Sequence, residues 1–507
     1  MVSLAPTVPA LVPLLALIFV RPNDRSFSVT RNNWYLEYDF IIVGGGSAGA
    51  VMANRLSENP NWTVLLLEAG GSDNIISDIP LAAATLQRTP LDWAYQTEPQ
   101  EAACYGLTNR RMHWPRGRVL GGSSVLNYML YVRGNRRDYD NWARLGCETW
   151  SFEEVLPYFI KSEDNTDPHF ASNGWHGVGG YLTVSTPLDP TPIAEVFPEA
   201  GKFLGYPNVD YNGPIQSSFM RPQGTIRKGA RCSTSKAFLL PAKDRPNLHV
   251  LTFAYVTKIL FNEDKKAIGV QFDRFSLSHV VYSRNEIIVS AGTVNSPQLL
   301  MLSGIGPADH LNEMGIPVVA NLPVGKNLHD QIFPSLHFPI KAVGVSIAQR
   351  RSVTVQNLLK YFTSGRGPLT ILGGVEGLAF IKTKYANYSD DFPDFEVHFI
   401  SGSIAADDGQ DFRRVQGVTT DLWEQYYLPL VGLDKFSLYP VMLQPKSRGF
   451  IKLRSISPYE PPIIDPKYLT HPDDIMSIVD AMKTCIAIGL TPAYRRFGSR
   501  LYERVMP

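Results

Sequence analysis

The chain's most specific chemistry lies in Gly44-Gly45-Gly46-Ser47-Ala48-Gly49, a backbone that can wrap an anion. Gly44, Gly46 and Gly49 fill the pattern G-x-G-x-x-G. The apolar run Tyr38 to Val43 predicts a buried parallel strand before them, and the residues through Val51 and Leu56 predict a helix after them. Gly44 permits the sharp turn and Gly46 lets a pyrophosphate approach the backbone. Gly49, with Ala50 and Ala53, lets the helix lie close on the sheet. The free N–H groups and positive end of that helix then face the phosphates. A second strand, Thr63 to Leu67, ends at Glu68, 19 residues beyond Gly49, where a carboxylate can accept hydrogen bonds from ribose hydroxyls. The glycine pattern alone would say little; with both strands, the helix and the acid it predicts a dinucleotide site. The same residues also spell G-x-S-x-G, the nucleophile elbow of hydrolases. That reading leaves Gly44 and Glu68 without a role, so Ser47 is expected to be a turn residue near phosphate.

A second glycine cluster runs from Trp114 to Asn127 (Trp-Pro-Arg-Gly-Arg-Val-Leu-Gly-Gly-Ser-Ser-Val-Leu-Asn). A nicotinamide enzyme needs only the first turn. A second loop that exposes backbone, with paired serines and an amide side chain, suits a larger cofactor whose pyrophosphate and flavin ring both need donors. Leu120, Val125 and Leu126 interleave with the glycines, which a solvated surface loop would not require.

Gly117 to Asp140, with Leu120-Gly121-Gly122-Ser123-Ser124, Asn127, Tyr131 and Gly134, resembles the first signature of the glucose–methanol–choline oxidoreductase family. Gly292 to Gly306 (Gly-Thr-Val-Asn-Ser-Pro-Gln-Leu-Leu-Met-Leu-Ser-Gly-Ile-Gly) is similar to the second. Gly229 to Pro241, Val324 to Leu328 and Ser447-Arg448-Gly449 match in order, and Asn135 to Asp140 is similar to the glucose dehydrogenase branch of insects. The resemblance covers Tyr38 to about Tyr494. It implies an FAD-dependent oxidoreductase acting on the CH–OH group of an alcohol or a sugar such as glucose, with hydride passing to flavin N5 and then electrons to a quinone or oxygen. It implies FAD contacts at Gly44, Gly46, Ser47, Ala48 and Gly49 for the pyrophosphate and at Glu68 for the adenosine ribose. Val119, Gly122 and Ser123 would follow the phosphates and ribityl chain, and Asn127, Tyr128, Met129 and Leu130 the flavin ring. Val256 would meet the adenine through its backbone.

Three positions depart from the family pattern. The family's base is a histidine near the C-terminus, followed by a second histidine or an asparagine. Here the last histidine is His471, in a turn that starts a helix, so the resemblance implies a catalytic pair beyond Pro507 and a truncated chain. No catalytic residue is therefore assigned within the sequence, and no metal ligand. Met112 stands where relatives place a cysteine partner for Cys104, and Gln331 where they place a histidine after His329-Asp330. The alternatives are a catalytically incomplete or non-catalytic FAD-binding flavoprotein and, further off, a nicotinamide-dependent dehydrogenase.

These residues must be positioned by a chain of 507 residues, long enough for two interleaved domains. The expected fold class is α/β: a discontinuous Rossmann-like FAD-binding domain (37–150 and 225–330) and a substrate domain (151–224 and 331–507) built on an antiparallel sheet backed by helices. Phe395 to Ile400 and Phe436 to Leu443 are expected strands of that sheet, and Tyr459-Glu460-Pro461-Pro462 a rigid surface connector. A net charge of +1 gives no reason to expect nucleic acid or an anionic membrane as partner. Four cysteines without a C-x-x-C pair exclude a disulfide scaffold. Residues 1–36 form an apolar leader and linker; Pro6, Pro9 and Pro13 make it a poor membrane span. With sequons at Asn61-Trp62-Thr63 and Asn387-Tyr388-Ser389, export is expected.

Overall fold

The computed structural model describes residues 29–504, so most of the apolar leader lies outside it. The glycine turn sits where the sequence places it. Strand β1 (Glu37–Val43) leads into helix α1 (Ser47–Leu56), which returns to strand β2 (Val64–Leu67). Strand β3 (Leu248–Leu251) joins β2, and β4 (Ala254–Phe261), β5 (Ala267–Arg274) and β6 (Leu277–Val289) complete a six-stranded sheet in the order β3-β2-β1-β6-β5-β4. The first three pairings along that order are parallel; β6, β5 and β4 run antiparallel. Alternate residues of β1 and β2 feed two apolar layers. Ile42, Val64 and Leu66 meet Ala50 and Ala53 of α1, while Ile41, Val43, Leu65 and Leu67 meet Leu299 of helix α2 (Gly292–Leu302). Burial on both faces explains why these strands are continuous apolar runs.

The second sheet is antiparallel throughout. Strands β7 (Leu336–Pro339), β8 (Val375–Ile381), β9 (Phe395–Ile400) and β10 (Lys435–Met442) lie in the order β7-β10-β9-β8, with the short strand Phe219–Met220 at its edge. The two strands expected here are present. One face of this sheet presents Phe338, Val397, Phe399 and Phe436 to Ile478, Ala481, Cys485 and Ile488 of helix α3 (Pro472–Gly489). Those helix positions recur every three or four residues, the spacing of a single buried face. Gly489 ends the helix against Phe338, where an added Cβ would lie 2.2 Å from the ring. At the other end His471 caps the helix by accepting from the Asp473 N–H (3.2 Å), and buried Asp474 accepts from the N–H groups of Lys446 and Ser447 (both 2.8 Å). Among the described residues no disulfide joins any of the four cysteines.

A buried polar network fixes the segment after Leu130. Arg133 pairs with Glu163, whose other oxygen meets His176 Nδ1 at 2.7 Å; His176 Nε2 meets Asp210 at 2.8 Å. Burial, the largest influence on His176, opposes its charge, yet Asp210 and Glu163 outweigh it and raise its pKa. Burial likewise opposes the charge on Glu163 and Asp210, and the His176 bonds turn both pKa values downward. The stability His176 contributes is therefore complete below the ordinary histidine range and is lost as pH rises through its raised value; the carboxylates' share is lost only in acid. The melting temperature should fall as pH rises above the ordinary histidine range, and His176→Gln should flatten that fall. A wild-type melting temperature that stays level there would contradict the assignment.

Candidate functional site

A cavity of about 440 Å³ opens at the carboxyl ends of β1 and β2, where an open α/β sheet binds its ligands. Gly44, Gly46, Ser47, Ala48, Glu68, Gly122, Ser123 and Val256 line it. Eight of the fourteen residues singled out in the sequence thus meet at one place. Gly49 and Val119 sit behind the wall. An added Cβ at Gly49 would lie 2.0 Å from the Gly44 carbonyl oxygen, and Val119 is fully buried. Asn127, Tyr128, Met129 and Leu130 lie outside this lining.

The shape follows from the backbone. Gly44 has φ +98°, and a Cβ there would lie 2.7 Å from the Ser290 carbonyl oxygen, so the turn needs glycine. The first turn of α1 has no acidic residue and no side-chain cap, which leaves its N–H groups for an anion. The second glycine loop docks on the first: Gly121 N–H donates to the Gly45 carbonyl at 2.7 Å. Such a cradle, roofed by backbone on two sides, fits a pyrophosphate. Ser47 hydrogen-bonds no histidine among the described residues, so the hydrolase elbow has no base.

Glu68 is the site's buried acid. Its two oxygens accept from the N–H groups of Gly45 and Gly70, each at 2.8 Å. Burial pushes its pKa up to about 7 against the pull of those bonds and of Arg118. Sequence reasoning missed the outer wall. Trp93, Tyr255, Gln298 and Pro458 complete the lining, with the Tyr255 ring stacked on Tyr459 (centroids 5.3 Å apart) and the Arg118 guanidinium 4.8 Å over Trp93. Pro458 adjoins the stretch expected to be a surface connector. Gln298 belongs to the second signature, which could have pointed to it; the aromatic residues carry no local signal.

Segment 127–130 bridges the two sheets. Tyr128 packs over Gly373, where a Cβ would strike its ring at 1.8 Å, and Leu130 packs against Leu378 and Phe380 of β8. Met129 is fully buried with φ +61°. A residue in that conformation is held by its surroundings at a cost of about 1 kcal/mol or more.

Family models described as GMC oxidoreductase match residues 38–333 and 445–505. The chain belongs to the GMC oxidoreductase family. It is an FAD-dependent oxidoreductase of alcohol or sugar CH–OH donors. It is 39% identical over 491 residues to glucose dehydrogenase [FAD, quinone] of Drosophila melanogaster, covering 96% of this chain and 75% of that one. It is 38% identical to alcohol dehydrogenase [acceptor] of Pseudomonas putida, covering 91% and 80%. Among solved structures it is similar to pyridoxine 4-oxidase from Mesorbium loti (30% identity, TM-score 0.76, 93% and 83% covered) and to formate oxidase from Aspergillus oryzae (26%, TM-score 0.81, 94% and 85%). No helix among the described residues is long and apolar enough to cross a membrane.

If the Glu68 carboxylate accepts from ribose hydroxyls as well as from its backbone donors, it must be ionised to serve both. FAD affinity should therefore fall about tenfold per pH unit below about 7 and stay level above it. Glu68→Gln should bind FAD roughly 10- to 100-fold more weakly at pH 8 and lose that dependence. Fluorescence titration of FAD at several pH values checks both; an unchanged pH profile in the variant would refute the role.

Proposed function

We propose that the adenosine diphosphate half of FAD occupies this cavity. Gly44, Gly46, Ser47, Ala48 and Gly49 shape the pyrophosphate cradle, Glu68 holds the ribose, and Val256 meets the adenine. Val119, Gly122 and Ser123 follow the phosphates and ribityl chain toward Asn127, Tyr128, Met129 and Leu130, which border the ring. The cofactor domain comprises 37–150 and 225–330, and the substrate domain 151–224 and 331–507. The carrying observation is the meeting of both glycine loops and Glu68 around one cavity.

Bound FAD would supply a two-electron acceptor for hydride. The protein's part is to hold the donor carbon and the ring in register and keep water out. We favour a sugar or small alcohol donor, with a quinone or oxygen as final acceptor, because the insect glucose dehydrogenase and the bacterial alcohol dehydrogenase are similar over most of this chain. Export is the accompanying proposal: Asn61 and Asn387 of the two sequons are both exposed. One observation favours a second reading, an FAD-binding chain without turnover. His471, the last of the ten histidines, is taken up in capping helix α3 through the Asp473 N–H.

Anaerobic mixing of FAD-loaded protein with glucose, primary alkyl alcohols and an aryl alcohol decides between them. The proposed function predicts bleaching of the oxidised flavin band by at least one donor. A flavin that dithionite bleaches and none of these donors does would establish the second reading.

A further inference from the structure

Arg231 is the largest side chain that is fully buried, yet it forms no ion pair among the described residues. Asp78, whose charge favours the guanidinium without forming an ion pair with it, holds Lys236 at 2.5 Å. The guanidinium donates only to neutral oxygens. Nε serves the Ser77 carbonyl at 2.7 Å, and Nη1 serves the Ser124 carbonyl at 2.9 Å, the Asn127 carbonyl at 2.8 Å and Asn127 Oδ1 at 2.9 Å. Nη2 is buried without a partner. A buried cation whose hydrogen bonds go to carbonyl oxygens alone is costly, which points to a role beyond packing.

The bonds to Asn127 supply one. Asn127 Oδ1 also accepts from the Met129 N–H at 3.1 Å. Two donors converge on a single atom of the amide, so that atom is the oxygen and the NH2 group must face the other way. Asn127 is exposed while Arg231 is not, so the NH2 lies on the accessible side. It meets no acceptor among the described residues. The Asn127 N–H donates to the Ser123 carbonyl at 2.9 Å, which places the amide one turn beyond a residue of the cavity wall.

We propose that Arg231 is a positioning residue that locks Asn127 in one amide orientation, so that the flavin ring meets a hydrogen-bond donor there and never an acceptor. The inference rests on the proposal that FAD occupies the cavity. A flavin gains electron density on its carbonyl and imino edge when reduced, so a fixed donor backed by a buried cation binds reduced flavin more tightly than oxidised. The pair thereby raises the flavin's midpoint potential and favours hydride uptake from an alcohol.

Two substitutions separate this role from a purely structural one. Asn127→Asp keeps both bonds to the oxygen, gives Arg231 a counter-charge and turns the donor into an acceptor. Arg231→Lys keeps the charge and breaks the fork that fixes the amide. Midpoint potentials of FAD-loaded proteins are measured by equilibration with redox dyes, beside melting temperatures. Asn127→Asp should keep the wild-type melting temperature or exceed it. Its affinity for reduced flavin should fall at least tenfold relative to oxidised, which lowers the potential by about 30 mV for a two-electron couple. Arg231→Lys should shift the potential in the same direction by less. An Asn127→Asp protein that holds FAD at the wild-type potential overturns the proposal, as does an Arg231→Lys protein that loses melting temperature without a change of potential. Wild-type protein that binds no FAD overturns the cofactor reading instead.

Discussion

The site depends on one close contact between backbones. An added Cβ at Gly122, where φ is +53°, would lie 2.7 Å from Gly46 Cα, and one at Gly117 would lie 2.2 Å from the Gly122 backbone. Two loops some 75 positions apart in the chain (Gly46 to Gly121) can touch like this only if Gly117 and Gly122 of the second carry no side chains. Their contact roofs the anion cradle, and the Gly121–Gly45 hydrogen bond fixes its depth. Beneath it, Glu68 bonds both the glycine turn at Gly45 and the strand end at Gly70. The cavity's buried acid thus braces the turn, which links its burial and raised pKa to the geometry of the cradle.

From that junction the chain runs to the second sheet through residues whose conformations are imposed by their neighbours. Met129 has positive φ, and its carbonyl accepts from the Thr225 N–H at 2.8 Å. Arg231 ties Asn127 to the Ser77 and Ser124 loops, and the Arg133–Glu163–His176–Asp210 network secures the chain beyond Leu130. Each is an energetically expensive arrangement placed along one short stretch. Together they hold the space between the two sheets to a fixed width, as proximity chemistry requires.

The parts legible in sequence were those whose physics is local. Gly44 to Gly49 needs only its own strand and helix, and Glu68 is found by counting along a strand. The sheet strands Phe395–Ile400 and Lys435–Met442 show as apolar runs. Position 435 itself was not foreseeable: Lys435 is buried because its ammonium donates to the Leu430 and Leu433 carbonyls, partners that exist only once the preceding turns fold. Trp93, Tyr255 and Pro458 were missed for the same reason. They come from three distant segments, and nothing in an isolated aromatic or proline marks it as a cavity wall. Val256 and the stretch 128–130 rested on resemblance alone. Arg231 lay inside a matched segment, yet its meaning appears only with the amide it orients.

The most direct test is the amount of FAD bound per chain by Gly122→Ala against the native protein, with circular dichroism as the control for folding. If the glycine junction builds the cofactor site, the variant keeps the native spectrum of its fold and loses flavin, or holds it at least tenfold more weakly. A folded variant that retains stoichiometric FAD at native affinity would contradict the account.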